Sequence, residues 1–178
     1  TLKRLNRVDN NIRIGKYGIH YYQGDVIACG DNGIYRVDKE GKTVWCIPIL
    51  NQDGDTYIKK GFILGNRFWQ TGELGVREIN LDMGKVASET KFIEEFDAKE
   101  IITSSVSGYY NNKLYFIKRK TDDSVPEKHR SELIEWNMES KEIERRYEIR
   151  EGYSVTNGSS VVISGDTAYF GVPSITRE

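Results

Sequence analysis

Three features of the sequence predict an all-β chain built from repeats of one four-stranded antiparallel sheet. Four segments, YQGDVIACG, LGNRFWQTG, YNNKLYFIK and SGDTAYFGV, each set Gly or Asn beside Asp, Asn or Lys ahead of a short apolar strand. That is the chemistry of a tight turn. The turns centre near Gly24, Gly65, Asn112 and Gly165 and recur every 41 to 53 residues. In three of the four a second element follows: VDKEGKTV from Val37, INLDMGKV from Ile79 and WNMESKEI from Trp136. Each reads as an apolar residue before Asp or Asn, a polar turn, and a return strand, which is a hairpin whose side chains alternate between two faces.

Taken in order, each repeat is strand, hairpin, strand, turn, strand. Such a sheet cannot cover both faces alone, and stacking the sheets around an axis is the solution that a period of about 40–50 residues signals. The expected architecture is a β-propeller with blades at about 20–50, 57–96 and 106–150. The second hairpins of the first and third blades align without a gap, and that of the second carries one inserted residue, Met83. The third blade differs by a long insertion, KRKTDDSVPEKHRS, from Lys118 to Ser131, whose mixed charges and Pro126 predict an exposed loop. In SKEIERRYEIREG the odd-numbered Ile143, Tyr147 and Ile149 predict a strand, while Phe92, Ile93 and Phe96 in KFIEEFDAKEI suit one face of a short helix.

The ends of the chain carry matching halves. Arg7-Val8-Asp9 repeats Arg36-Val37-Asp38, so residues 3–15 read as the second half of a repeat, and residues 159–172 as the first half of one. Two arrangements satisfy this: a four-blade ring closed by pairing of the termini, which removes exposed sheet edges, or a fragment of a larger propeller. The chain begins at Thr1, which is compatible with removal of a leader.

Charge and cysteine content narrow the partners. Twenty-six basic and 27 acidic residues are interspersed, for a net charge of −1. This gives no basic face for a nucleic-acid backbone and no polybasic membrane anchor, and no apolar run is long enough for a membrane-spanning helix. Cys29 and Cys46 are expected on strands separated by a third, two strand spacings or about 9–10 Å apart, beyond the reach of a disulfide. Two free thiols favour a cytoplasmic location, with export or a cell-surface location as the alternative.

The stretch GDVIACGDNGIYRVDKEGKTVW resembles the propeller repeat of the quinoprotein, or pyrroloquinoline-quinone-like, superfamily. The matching positions are Gly24 and Asp25, Val26 to Ala28, Asp31 to Gly33, Ile34 to Val37, Asp38, Gly41-Lys42 and Trp45. The resemblance covers residues 24–45. It implies the fold and brings no catalytic residue, and the paired neighbouring cysteines and repeated Trp expected of a quinone-dependent dehydrogenase are missing.

Other chemistry finds little footing. Asn51, Asp53 and Asp55 alternate as calcium ligands do, but Thr56 and Phe62 stand where an EF-hand loop needs Gly and a closing Glu. The two histidines, His20 and His129, share no zinc spacing with the cysteines. No G-x-S-x-G is present. The sequence therefore predicts a non-enzymatic scaffold with neither cofactor nor metal, which binds another protein and neither binds nucleic acid nor inserts into a membrane. The candidate contact residues are Trp69, Tyr109 and Tyr110, as aromatics beside turns, and Asp122, Asp123, Lys128, His129 and Arg130 of the insertion. The alternative is a sensor or enzyme that binds a small molecule or carbohydrate at the central channel.

Overall fold

The computed structural model describes residues 14–30, 33–48, 57–72, 75–92, 100–102, 108–120, 130–149 and 161–170. Among these, every regular element is a strand. The first sheet runs β1 (Ile14–Tyr22), β2 (Asp25–Gly30), β3 (Gly33–Val37), β4 (Thr43–Pro48), and the second β5 (Tyr57–Leu64), β6 (Arg67–Gly72), β7 (Gly75–Asn80), β8 (Lys85–Lys91), each in chain order. A short β9 (Glu100–Ile102) precedes the third, β10 (Gly108–Tyr110), β11 (Lys113–Lys120), β12 (Arg130–Asn137), β13 (Ile143–Ile149), and pairs with β11. β14 (Val161–Ser164) and β15 (Thr167–Phe170) form a two-stranded sheet. Every pairing with a described register is antiparallel. The expected blades are thus four-stranded meanders.

The four first turns fall into two classes. Gln23 and Gly24 both have positive φ, as do Asn111 and Asn112, the pattern of a type I′ hairpin turn. At Gly65-Asn66 and Gly165-Asp166 only the glycine is positive, the pattern of type II′. Both classes match the right-handed twist of the flanking strands, so different turn residues yield the same hairpin.

The second turns are built on an Asx acceptor. Asp38 Oδ1 accepts from the amides of Glu40 and Lys42, Asn80 Oδ1 from those of Asp82 and Met83, and Asn137 Oδ1 from those of Glu139 and Ser140. The left-handed residue follows at Gly41, three residues on, in the first blade. It follows at Gly84 and Lys141, four residues on, in the second and third. The gapless alignment of the first and third turns is therefore corrected: the second and third match, and the first is one residue shorter. The composition misled because Ser140 stands where Gly41 aligns, while the strained seat falls on Lys141, at φ 63°.

Two further expectations shift. Ile14 pairs with Gly30, so β1 reaches back into the stretch expected to close the preceding half blade. The insertion from Lys118 to Ser131 is not all loop: Lys118, Arg119 and Lys120 pair with Glu132, Ser131 and Arg130. Lys118 is buried, its ammonium 2.8 Å from Glu132. The SKEIERRYEIREG strand is present as β13. Of the helical alternative, residues 93–99 lie outside the described residues, and so do the Asn51–Asp55 stretch and residues 1–13 and 171–178, so the pairing of the termini lies outside them too. Phe92 stacks on Phe116 with centroids 5.8 Å apart and meets Trp136 edge-on.

The chain divides into two compact units, residues 1–70 with 77–89, and residues 71–76 with 90–178. The core of the first gathers Tyr22, Ile27, Cys29, Ile34 and Ile47 of the first sheet with Phe68, Ile79 and Leu81 of the second. That of the second gathers Tyr115, Ile117, Leu133 and Ile149 of the third sheet with Ile163 and Ala168 of β14–β15. β3 separates Cys29 from Cys46, and both are free thiols. Burial pushes the Cys29 thiol up to about 12, whereas Cys46 is exposed.

A thiol reagent at neutral pH should therefore titrate one cysteine, Cys46, in the native protein and two after denaturation without reductant. A native count of two would overturn the burial of Cys29. Gly84 has φ +61°, and a Cβ there would run into Cγ and Cδ1 of the Trp45 ring. Gly84→Ala should cost about 2–4 kcal/mol by denaturant unfolding, combining the left-handed backbone with overpacking. In a Trp45→Ala background only the backbone part, about 1–2 kcal/mol, should remain.

Candidate functional site

In the first unit one turn of the second sheet is seated on the first sheet. Leu81 O accepts from Arg36 Nη1 at 2.9 Å and from Trp45 Nε1 at 3.1 Å. Arg36 Nε donates to Asp25 Oδ2 at 2.6 Å, and its guanidinium lies 5.3 Å from the centroid of the Tyr22 ring. The Tyr22 hydroxyl donates to Asp82 Oδ1 at 2.7 Å, while Asn66 Nδ2 donates to Oδ2 at 2.9 Å. The bonds from Asn66 and Tyr22 hold the Asp82 carboxyl below its ordinary value. Burial, then the bond to Asp82, pushes the Tyr22 phenol up.

The second unit repeats the frame of this seat. Arg36 pairs with Trp45 and Glu135 with Arg145, and in both hairpins the register shifts at the next residue. Counted from the first turns, Tyr110, Glu135 and Arg145 hold the places of Tyr22, Arg36 and Trp45. Ile163, Asp166 and Ala168 hold those of Ile63, Asn66 and Phe68. All six line a cavity of about 440 Å³.

The chemistry of the walls is reversed. Where Asp25 pairs with Arg36, Lys113 pairs with Glu135 at 2.5 Å, and Lys113 also reaches Glu144 at 2.6 Å. The intervening blade has Arg67 and Glu78 at these two places, 3.4 Å apart. Glu135 accepts a second bond from the Tyr147 hydroxyl at 2.8 Å. Burial pushes the Glu135 carboxyl up, but the bonds from Lys113 and Tyr147 outweigh it and hold the group below its ordinary value. The same two carboxylates push the Lys113 ammonium up. His20 lies on β1 with Phe68 edge-on at 5.4 Å, and burial lowers its pKa.

Of the described residues that the sequence offers as partner contacts, Tyr110 lines this cavity and Trp69 and Tyr109 do not. Tyr109 and Tyr110 are exposed, at 41% and 39%. Trp69 is not a surface anchor: it lies on β6 and is 4% exposed. Asp122, Asp123, Lys128 and His129 lie outside the described residues, and Arg130 opens β12 opposite Lys120. Sequence reasoning missed Lys113, Glu135, Arg145 and Asp166. The signal was present in the repeat, since each stands at a fixed distance from a recognised turn, but the charges change sign between blades and so escape a search for identity.

No protein-family model matches the chain, and no curated protein does. Its structure is similar to the WD40 domain of Neurospora crassa Pan2, with a TM-score of 0.51 and 10% sequence identity. The likeness covers 86% of this chain and 45% of that one, so the chain spans about half the length of the structure it matches. The fold is a β-propeller of four-stranded blades. At this identity the likeness carries the fold and no residue roles.

Lys113→Met removes the cation that compensates a nearly buried carboxylate, and it should lower the melting temperature at pH 7 by several degrees. Glu135 is depressed in the folded wild type, so its stabilising contribution is present above the ordinary glutamate pKa of about 4.3 and is lost as pH falls through the folded value. The deficit of the variant should therefore shrink below about pH 4.3. A deficit that is constant from pH 7 to pH 3 would show that the Lys113–Glu135 charge interaction is not its cause.

Proposed function

We propose that this chain is a non-enzymatic β-propeller module that binds another protein, and that it stands in the quinoprotein-like branch. The likeness to a WD40 propeller supports the interaction reading, because such domains commonly hold protein partners on a rigid frame of blades. The resemblance of residues 24–45 supports the branch, and Trp45, which closes that repeat, caps it by donating to Leu81 O of the next blade.

The observation that carries the reading is the long hairpin of the third blade. β11 and β12 pair over eight residue positions, from Lys113↔Asn137 to Lys120↔Arg130, whereas β2 and β3 pair over four. The extra length is braced on its other side by β9, with Ile102, Ile101 and Glu100 opposite Lys118, Arg119 and Lys120. A three-stranded, paired extension is a costly way to build a connection that a two-residue turn would make. It is a sound way to present residues 121–129, which join Lys120 to Arg130 and contain Asp122, Asp123, Lys128 and His129. Those charges suit charge-assisted contacts with a protein surface.

Replacement of residues 121–129 by an Asn-Gly turn should leave the melting temperature unchanged, since the paired strands survive, and should reduce recovery of the physiological partner in a pull-down. Equal recovery at equal stability would remove this segment from the interaction surface.

A further inference from the structure

We propose that His20 is an acid-operated release for the joint between the first and second sheets, which opens when its imidazole takes up a proton in mildly acid solution. The proposal does not depend on what the chain binds.

The joint is an apolar layer. Tyr22, Ile27, Cys29, Ile34 and Ile47 of the first sheet meet Phe68, Ile79 and Leu81 of the second, with Trp45 and Ile63 packed against them. β1 is the strand of the first sheet that lies beside β5. His20 stands two residues before Tyr22 on β1 and opposite Ile27 on β2, so strand alternation sets it on the same face as both. Its ring meets that of Phe68 with centroids 5.4 Å apart and planes at 70°. Nε2 is closed off from water and has no hydrogen-bond partner. Part of the wall around it is β1 itself, since a Cβ at Gly18 would stand 3.3 Å from that nitrogen.

No carboxylate on this face is free to meet an imidazolium. Asp25 is paired with Arg36 at 2.6 Å, and Asp82 accepts from Tyr22 and Asn66. The Cys29 thiol, pushed up to about 12, and the Tyr22 phenol, also pushed up, are both neutral. The ionisable residues of β5 are Tyr57, Lys59 and Lys60, none of them an anion at neutral pH. On β6 the ionisable residue is Arg67, paired with Glu78 of β7. A neutral imidazole suits such a place. An imidazolium brings in an N–H without an acceptor and a charge without a counter-ion, which an apolar joint disfavours.

Burial accordingly lowers the pKa of His20. The stability that neutral His20 contributes is therefore complete above the ordinary histidine value of about 6.5 and is lost as pH falls from there towards the folded value. Asp82 does not titrate in that window, because its bonds hold it below its ordinary value. An acid shift thus acts on the joint through the histidine while the bonds to Asp82 are still intact.

Cys29, buried in the joint, reports its opening. The full chain is treated with 4,4′-dithiodipyridine, which modifies thiols in acid as well as in neutral solution. The rate at Cys29 is divided by the rate in the denatured chain at the same pH. Between about pH 7.5 and pH 5 this ratio should rise at least fivefold, towards the limit of about thirtyfold that an ordinary pKa of 6.5 sets. His20→Gln and His20→Phe, neutral throughout, should each hold the rise below about twofold, and the Gln variant serves where Phe overpacks the joint. His129→Gln should leave the rise intact. A ratio independent of pH in the parent chain, or a rise that survives both substitutions of His20, would overturn the proposal.

Discussion

The carbonyl of Leu81 is the point on which the first unit closes. It accepts from Arg36 and from Trp45, side chains that face each other across β3 and β4. A carbonyl has two lone pairs, and here both find donors. Each donor is also fixed elsewhere, Arg36 by Asp25 and the Tyr22 ring, Trp45 by lying against Gly84. Because Gly84 has no Cβ, the indole reaches the backbone, and because it sits at positive φ, the turn can present Leu81 O at that height. Five residue choices in two blades, Tyr22, Asp25, Arg36, Trp45 and Gly84, thus converge on one atom, and Ile79 and Leu81 of the same hairpin are buried in the core.

The same place in each blade carries an ion pair whose polarity is free to change. Asp25–Arg36, Arg67–Glu78 and Lys113–Glu135 join the residue after the first turn to one on the neighbouring strand. What the fold needs is a pair of opposite charges on a diagonal of the ladder. Which member is acidic decides the chemistry at that place: Arg36 donates to Leu81 O, whereas Glu135 has no proton to give and can only accept. Arg77, fully buried, shows the same sharing of donors, with Gln70 Oε1 and the carbonyl of Pro48 accepting from its guanidinium.

Turns were the legible part of this sequence. Gly24, Gly65, Asn112 and Gly165 fix the hairpins because few residues tolerate positive φ, so backbone requirement and residue type are tightly coupled. The register of the second turns was less legible, since Lys141 occupies a left-handed position that glycine marks in the other two blades. Side-chain burial was not legible at all for the aromatics. Trp69 and Tyr169 stand at the same place in their repeats, yet one is 4% exposed and the other 58%. The strand's own alternation is identical at both. Burial is decided by what packs over the strand, and that information lies in other segments. The candidate site was hidden for the related reason that its residues match by position and differ in charge.

This divergence between equivalent positions bears on how the module works. A repeat that only had to pack would keep the same seat in every blade, as the shared turn chemistry does. Instead Arg36, Trp45, Asn66 and Phe68 are answered in the second unit by Glu135, Arg145, Asp166 and Ala168. These changes are coupled: Arg145 supplies the donor that Glu135 cannot, and Lys113 compensates the carboxylate that replaces a guanidinium. Ala168 removes the bulk that would otherwise fill the space. The cavity is consequently polar-walled, cross-braced by the Lys113–Glu135–Tyr147 bonds and apolar at its base of Leu133, Ile163 and Ala168. Bracing of that kind holds the groups of the wall in one arrangement, so little conformational freedom is left for them to lose.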